Sequence, residues 1–207
     1  MGFSTSKTDA QANGVHPARD AATHKRRVRE DILSKYQSLR PDKSKSYPLD
    51  VSTLIIAKLK DREYEIVHLD ATALLERIRA RIYTCVEVIN AHWKVAVAAQ
   101  DFTNCLTEIC IDAACKRAKE LDDYLERTGE VVGPLHGLPV SVKDHILVEG
   151  LDTSSGYTAW AENTIAETDA VVVSLLRKSG AIIYVKTANP QTLLVSVYHQ
   201  NHPRELT

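Results

Sequence analysis

Apolar residues recur every three or four positions over long stretches of this chain, a period typical of amphipathic helices. Asp70 stands where an N-cap is expected, and Thr84 and Glu87 have the spacing of a capping box. Gly129 and Gly180 stand where helices should stop. These patterns predict helices over residues 24–39, 71–81, 85–100, 113–128 and 169–179, and a short helical segment within residues 51–69. Asp112 is the predicted N-cap of the fourth helix.

Two of these helices carry informative apolar faces. Apolar residues occupy most sides of the helix at 85–100, which predicts burial by more than one layer. In the helix at 169–179, Val172, Leu175 and Leu176 are expected to face inward.

Shorter apolar runs predict strands over residues 106–111, 140–148 and 181–186. The last two runs flank a helix, so they should form a parallel βαβ unit with a right-handed crossover. We therefore predict an α/β fold: a partial mixed β-sheet with flanking helices, preceded by a helical N-terminal region.

Composition narrows the function classes. The 207 residues carry a net charge of −1 and are 44% hydrophobic, which is ordinary for a globular protein and gives no global signal for nucleic acid. Residues 1–48 are basic, with ten Lys/Arg against five Asp/Glu, which is typical of a solvated tail. The longest apolar run, residues 95–99, is too short to span a bilayer, and no secretory signal is visible, so we expect a cytoplasmic protein.

Cysteine and histidine spacing gives little sign of a metal site. Cys85, Cys105, Cys110 and Cys115 include no C-x-x-C pair, and small buried hydrophobes are the favoured interpretation. His199 and His202 have no third ligand nearby, and Pro203 follows them directly. We expect no metal and no cofactor.

The run GPLHGLPVSVKD at 133–144 places Lys143 near the end of an apolar strand, after a Gly/Pro turn. Alternation puts Ser141 and Lys143 on one face and Asp144 on the other. A buried lysine without a carboxylate partner can act as a general base. From the pattern alone, a solvated lysine at a strand end is the simpler interpretation.

Three segments together resemble amidase signature enzymes, most closely the fungal acetamidase-like branch. They lie at residues 70–88, 104–160 and 168–194, in the family's order, within a similar region of about 60–194. Residues 1–22 are small and polar without periodicity, which predicts a disordered tail, and residues 23–60 are expected to form an N-terminal helical extension and linker. The resemblance implies the N-terminal part of an amidase domain at 61–194, followed by an unmatched C-terminal tail at 195–207.

The resemblance implies a serine hydrolase that converts a small carboxamide to a carboxylate and ammonia, without a metal or cofactor. In that family a serine nucleophile, a second serine at a cis peptide bond and a lysine act in series. Only the lysine has its motif position in this sequence, at Lys143. Both serines of the family lie in a later Gly/Ser-rich loop that these 207 residues do not contain, so we expect the chain alone to be inactive.

Alternatives follow from the same residues. Ser154 or Ser155 could pair with Lys143, although a turn that uses their hydroxyls is favoured. Cys110 and Cys115 are weaker nucleophile candidates, since nothing nearby lowers a thiol pKa. The chain could also be a non-catalytic binding or assembly module, self-associating through an exposed sheet edge at 181–186, or a fragment that a second chain completes.

Overall fold

The computed structural model describes residues 17–36, 40–42 and 45–193. Within them it has helices and strands in the following order: α1 (Pro17–Ser34), α2 (Ser52–Ile56), α3 (Asp61–His68), α4 (Ala71–Arg79), α5 (Cys85–Thr103), β1 (Leu106–Ile109), α6 (Ile111–Thr128), β2 (Pro139–Lys143), α7 (Val171–Lys178) and β3 (Ile182–Thr187). Short 3₁₀ turns lie at Thr158–Trp160 and Gln191–Leu193.

The three strands form one mixed sheet in the order β1-β3-β2. β2 and β3 are parallel and joined through α7, which confirms the predicted βαβ unit, and β1 is antiparallel to β3. The predicted α/β class with a small mixed sheet and flanking helices is thus confirmed. The predicted edge at 181–186 is wrong, because β3 is hydrogen-bonded on both sides and the edges are β1 and β2.

The larger core surrounds α5, which is buried on several sides as its sequence predicts. Thr84 and Glu87 form the predicted capping box at its start. The carboxylate of Asp122, on α6, also accepts hydrogen bonds from the backbone N–H groups of Cys85 at 2.7 Å and Val86 at 3.1 Å. This contact satisfies two N–H groups that a helix start leaves unpaired, and it fixes α6 against α5.

A smaller apolar cluster joins β2, β3 and α7, and it contains Val142, Val173 and Ile183. Helix α7 packs through Val173, which is fully buried, and Leu176. Val172 and Leu175, predicted to face inward, are 50% and 58% exposed. Only one narrow side of this short helix contacts the cluster, so that part of the prediction is wrong.

Several boundaries differ from those that the sequence predicts. Helix α1 begins at Pro17 rather than at residue 24 and ends at Ser34, and residues 51–69 form two helices. Strand β2 ends at Lys143 rather than near 148, because the chain turns there. Helix α6 starts after Cys110, whose side chain makes no capping bond, so Asp112 lies in the first turn and is not the N-cap.

No helix in the described ranges is both long enough and apolar enough to cross a bilayer. Residues 1–16 of the predicted tail lie outside the described residues, and so do all residues after Leu193, including the predicted C-terminal tail at 195–207 and the pair His199 and His202.

Candidate active site

The Gly/Pro turn before β2 is held by the turn that precedes β3. The N–H of Leu135 donates to the carbonyl of Ser179 at 2.8 Å, and the N–H of Gly137 donates to the carbonyl of Gly180 at 2.9 Å. Gly180 has φ +93°, in the left-handed region that favours glycine. These bonds bring the starts of the two parallel strands together and so set the position of β2.

Lys143 is the last residue of β2, at the carboxyl ends of the two parallel strands, where α/β sheets commonly bind ligands. Its register partner on β3 is Thr187. The side chain is exposed, and Nζ donates to the carbonyl of Ala188 at 3.2 Å. Ser141 is exposed like Lys143, as the alternation predicts. The described residues therefore leave this amine open to a reacting group, and they do not bury it.

Asp144 turns the opposite way and is buried. Its Oδ2 accepts a hydrogen bond from the hydroxyl of Ser154 at 3.0 Å and one from the N–H of Ser155 at 2.6 Å. The structure therefore pairs both serines of the loop at 152–156 with Asp144 and shows neither bonded to Lys143. The loop itself lies against the end of β2.

Lys186 is a buried charged residue that the sequence interpretation missed. It is 0% exposed, and its Nζ donates to the carbonyl of Asp152 at 2.6 Å and to the hydroxyl of Thr153 at 3.0 Å. Burial lowers the pKa of Lys186, while the negative charges of Asp144, Glu108 and Asp152 partly oppose the shift. The signal in the sequence was a lysine at the end of the otherwise apolar run 181–186.

At the same end of the sheet, the segment that follows β3 also contacts the loop at 152–156. Gly156 has φ +80°, and a Cβ there would lie 2.9 Å from the carbonyl oxygen of Asn189. The side-chain amide of Gln191 also donates to the carbonyl of Gly156 at 3.3 Å. The segment after β3 thus packs directly on this loop, beside the carbonyl that accepts from Lys143.

Cys85, Cys110 and Cys115 are poorly suited to act as nucleophiles. Burial and the charge of Asp122 raise the pKa of Cys85 far above its usual range. Burial raises the pKa of Cys110 to about 11 and also raises that of Cys115. Because the thiolate is the reactive form, these shifts disfavour attack by sulfur near neutral pH. Across the described ranges, no group of three or more His, Cys, Asp or Glu is placed to hold a metal ion.

Comparison with known proteins identifies the family. A family profile described as Amidase matches residues 87–204, more than half of the chain. The chain belongs to the amidase family. The matched residues include β2 with Lys143, the loop at 152–156 and β3, and they extend past Leu194, where the resemblance read from the residues ends.

Relatives of this amidase chain include fungal acetamidases and amidases, in agreement with the predicted acetamidase-like branch. It is 46% identical to an acetamidase of Emericella nidulans over 66% of this chain and 25% of the relative. It is 39% identical to amidase 2 of Gibberella moniliformis over 90% of this chain and 33% of the relative. The chain therefore spans about a quarter to a third of the length of these relatives.

Solved structures agree with this assignment. The amidase chain resembles fatty acid amide hydrolase with a TM-score of 0.75 and 34% identity, over 84% of this chain and 32% of that one. It also resembles a peptide amidase from Stenotrophomonas maltophilia, with a TM-score of 0.53 and 26% identity, over 68% of this chain and 26% of that one.

Proposed function

We propose that this chain carries the lysine-bearing part of an amide hydrolase, which converts a small carboxamide to a carboxylate and ammonia. The observation that carries the proposal is the position of Lys143 within the matched region. Its exposed amine lies at the carboxyl end of a parallel strand, beside the loop at 152–156. An acetamidase among the relatives supports a small amide as the substrate class.

In the proposed mechanism Lys143, as a neutral amine, accepts a proton from a serine hydroxyl. A second serine gives its proton to the first as it attacks the amide carbonyl; the C–N bond then breaks, and the proton held by Lys143 returns through the first serine to the nitrogen, which leaves as ammonia. Water hydrolyses the resulting acyl-enzyme, which releases the carboxylate and restores the second serine. The carbonyl of Ala188 orients the amine, because it accepts one hydrogen bond from Nζ. Asp144 faces away and is bonded to Ser154 and Ser155, so it leaves the amine without a directly bonded carboxylate. No metal or cofactor takes part in this scheme.

Burial of Lys143 would be supplied by the rest of a full-length amidase domain. The described residues leave the side chain exposed, and the relatives are three to four times as long as the matched segment. We propose that the serine pair also belongs to that remainder, and that residues 1–207 alone do not hydrolyse amides. The alternative of a non-catalytic binding or assembly module is not favoured by the comparisons, and neither sheet edge by itself selects a partner.

The test of the proposed activity is a chimera. Residues 60–193 of this chain replace the matched segment of the Emericella nidulans acetamidase, and ammonia release from acetamide is measured. We expect the chimera to hydrolyse acetamide, and we expect Lys143→Ala to lower its rate by at least about a thousandfold. Catalytic residues that act as a unit lose most of their effect when one of them is removed. Lys119→Ala, which removes an exposed lysine paired with Asp123 on α6, is the matched control and should retain the rate. Equal rates for the two variants would refute the assignment of Lys143.

Inactivity of the chain alone needs a separate experiment. Purified residues 1–207 should not react with a fluorophosphonate probe and should hydrolyse acetamide no faster than their Lys143→Ala variant. A Lys143-dependent rate, or labelling of Ser154 or Ser155, would show that the chain has its own nucleophile.

A cytoplasmic location and the absence of a nucleic-acid partner also belong to the proposal. The four cysteines are free, which suits a reducing compartment. The net charge of −1 gives no general attraction for phosphate.

A further inference from the structure

Helix α1 reaches the candidate site through charged side chains. Lys25, on α1, has its Nζ 2.5 Å from Oε1 of Glu108 on β1 and 3.0 Å from Oδ2 of Asp152 in the loop. Lys186 then bonds the backbone carbonyl of Asp152 from β3. We call these four residues, Lys25, Glu108, Asp152 and Lys186, the anchoring network. It joins α1, two strands of the sheet and the loop at one point.

Asp152 is the centre of this network, and both of its carboxylate oxygens are paired. Its Oδ1 accepts from the N–H of Thr153 at 3.0 Å and from the hydroxyl of Thr164 at 2.7 Å. Its Oδ2 accepts from the N–H of Glu162 at 2.5 Å and from Lys25. The side chain is 2% exposed, so water cannot replace these partners readily. The conformation of the loop therefore depends on Asp152 staying charged and paired.

Lys25 supplies a positive charge beside the buried carboxylate of Asp152 and the half-buried carboxylate of Glu108. Burial raises the pKa of Glu108, and the bond from Lys25 opposes that shift. Burial also acts to raise the pKa of Asp152, but its hydrogen bonds outweigh burial and hold the pKa below its usual range. If Lys25 were removed, the carboxylates of Glu108 and Asp152 would remain close together with less positive charge beside them. Such an arrangement is unfavourable where the carboxylates are shielded from water.

Further contacts show that α1 is fixed on this side of the molecule. Arg29 donates to the carbonyl of Leu106 on β1 at 2.9 Å. His24 contacts the carboxylate of Glu162, whose own N–H is bonded to Asp152. The helix therefore extends from the edge strand of the sheet to the loop, and Lys25 lies between these two attachments.

We propose that Lys25 and Lys186 are positioning residues that hold the loop at 152–156 against the strand end that carries Lys143. Through Asp152 they fix Thr153, and the next two residues then bond Asp144 directly after Lys143. Helix α1, which precedes the region matched by the family profile, is on this account part of the site's architecture. The relevance to catalysis rests on the proposed function, but the positioning itself does not.

The test is amide hydrogen exchange in the 207-residue chain, followed at single residues by NMR. In Lys25→Met, which keeps the length of the side chain and removes its charge, the N–H of Ser155 should exchange about tenfold faster than in the unchanged chain. Core amides of α5 such as Ile89 should change by less than about twofold. Lys25→Arg should restore most of the protection of Ser155. Lys119→Met is the matched control, because it removes an exposed lysine from an i,i+4 pair.

Two results would overturn the proposal. The first is unchanged exchange at Thr153 and Ser155 in Lys25→Met, which would mean that α1 only packs beside the loop. The second is an equal acceleration at Ser155 and at Ile89, up to loss of the fold, which would assign Lys25 to general stability. Because hydrolysis is not measured, failure of the chimera leaves this result unaffected, and failure here leaves the chimera test intact.

Discussion

Replacing Gly180 with alanine tests how the turn before β2 is held. A Cβ at this position would lie 2.7 Å from Cα and 3.0 Å from N of His136, so it meets backbone and not a flexible side-chain end. The φ of +93° adds a conformational cost for any residue with a Cβ. We expect the left-handed backbone to cost roughly 1–2 kcal/mol and the forced shift roughly 1–3 kcal/mol. The free energy of unfolding should therefore fall by about 2–5 kcal/mol.

Gly150→Ala is the matched control for this experiment. Gly150 has φ +77°, but nothing lies within 4 Å of the position that a Cβ would take there, so only the conformational cost applies. Urea unfolding followed by circular dichroism gives both free energies under identical conditions. The loss in Gly180→Ala should exceed that in Gly150→Ala by about 1–3 kcal/mol. Equal losses would refute the claim that the backbone of His136 lies too close to Gly180 to leave room for a Cβ.

Three further outcomes follow from the same contacts. Lys143→Ala should change the free energy of unfolding by less than about 0.5 kcal/mol, because the side chain of Lys143 is exposed. Lys186→Ala should lower it by about 3 kcal/mol or more, because the side chain of Lys186 is buried. Similar values for the two variants in urea unfolding would contradict this contrast. Asp122→Ala should cost about 1–2 kcal/mol in the same assay through loss of the bonds to the start of α5, and an unchanged midpoint would count against that role. Cys110, with its pKa raised to about 11, should be alkylated slowly at pH 8 and faster as pH rises toward 11, as read by mass spectrometry; labelling at pH 8 as fast as free cysteine would contradict this.

The parts of the fold that the sequence predicts well are those set by local hydrogen bonds. The capping residues Asp70 and Thr84 act at fixed spacing within one turn, and both make the expected bonds. Gly129 ends α6 with φ +77°, since a residue without Cβ adopts that conformation at little cost. Such features depend on a few neighbouring residues, so a single sequence is enough to find them.

Features that depend on distant neighbours were predicted less well. Strand β3 is central because β1 pairs with the side of β3 that β2 leaves open. A long stretch of chain separates β1 from β3, so no local pattern indicates this pairing. Val172 and Leu175 fit an inward face by periodicity, but only Val173 and Leu176 meet the cluster. Periodicity gives the width of an apolar face and does not say how much of it a neighbour covers.

In the candidate site, too, local features could be predicted from the sequence and contacts between distant residues could not. The exposed face shared by Ser141 and Lys143 follows from alternation along one strand. The partners of Lys186 come from the loop near Asp152, and the partner of Glu108 comes from α1, so neither contact has a local sequence signal. What the sequence does show is a lysine, Lys186, at the end of an otherwise apolar run.

In the proposed mechanism Lys143 acts as a base and not merely as a positive charge. The most direct measurement is acetamide hydrolysis by the acetamidase chimera carrying Lys143→Arg, compared with the parent chimera. Arginine keeps the charge but cannot lose its proton in a protein, so it cannot accept one from a serine. We expect Lys143→Arg to have no more activity than Lys143→Ala. Hydrolysis by the arginine variant at a rate close to that of the parent chimera would contradict it.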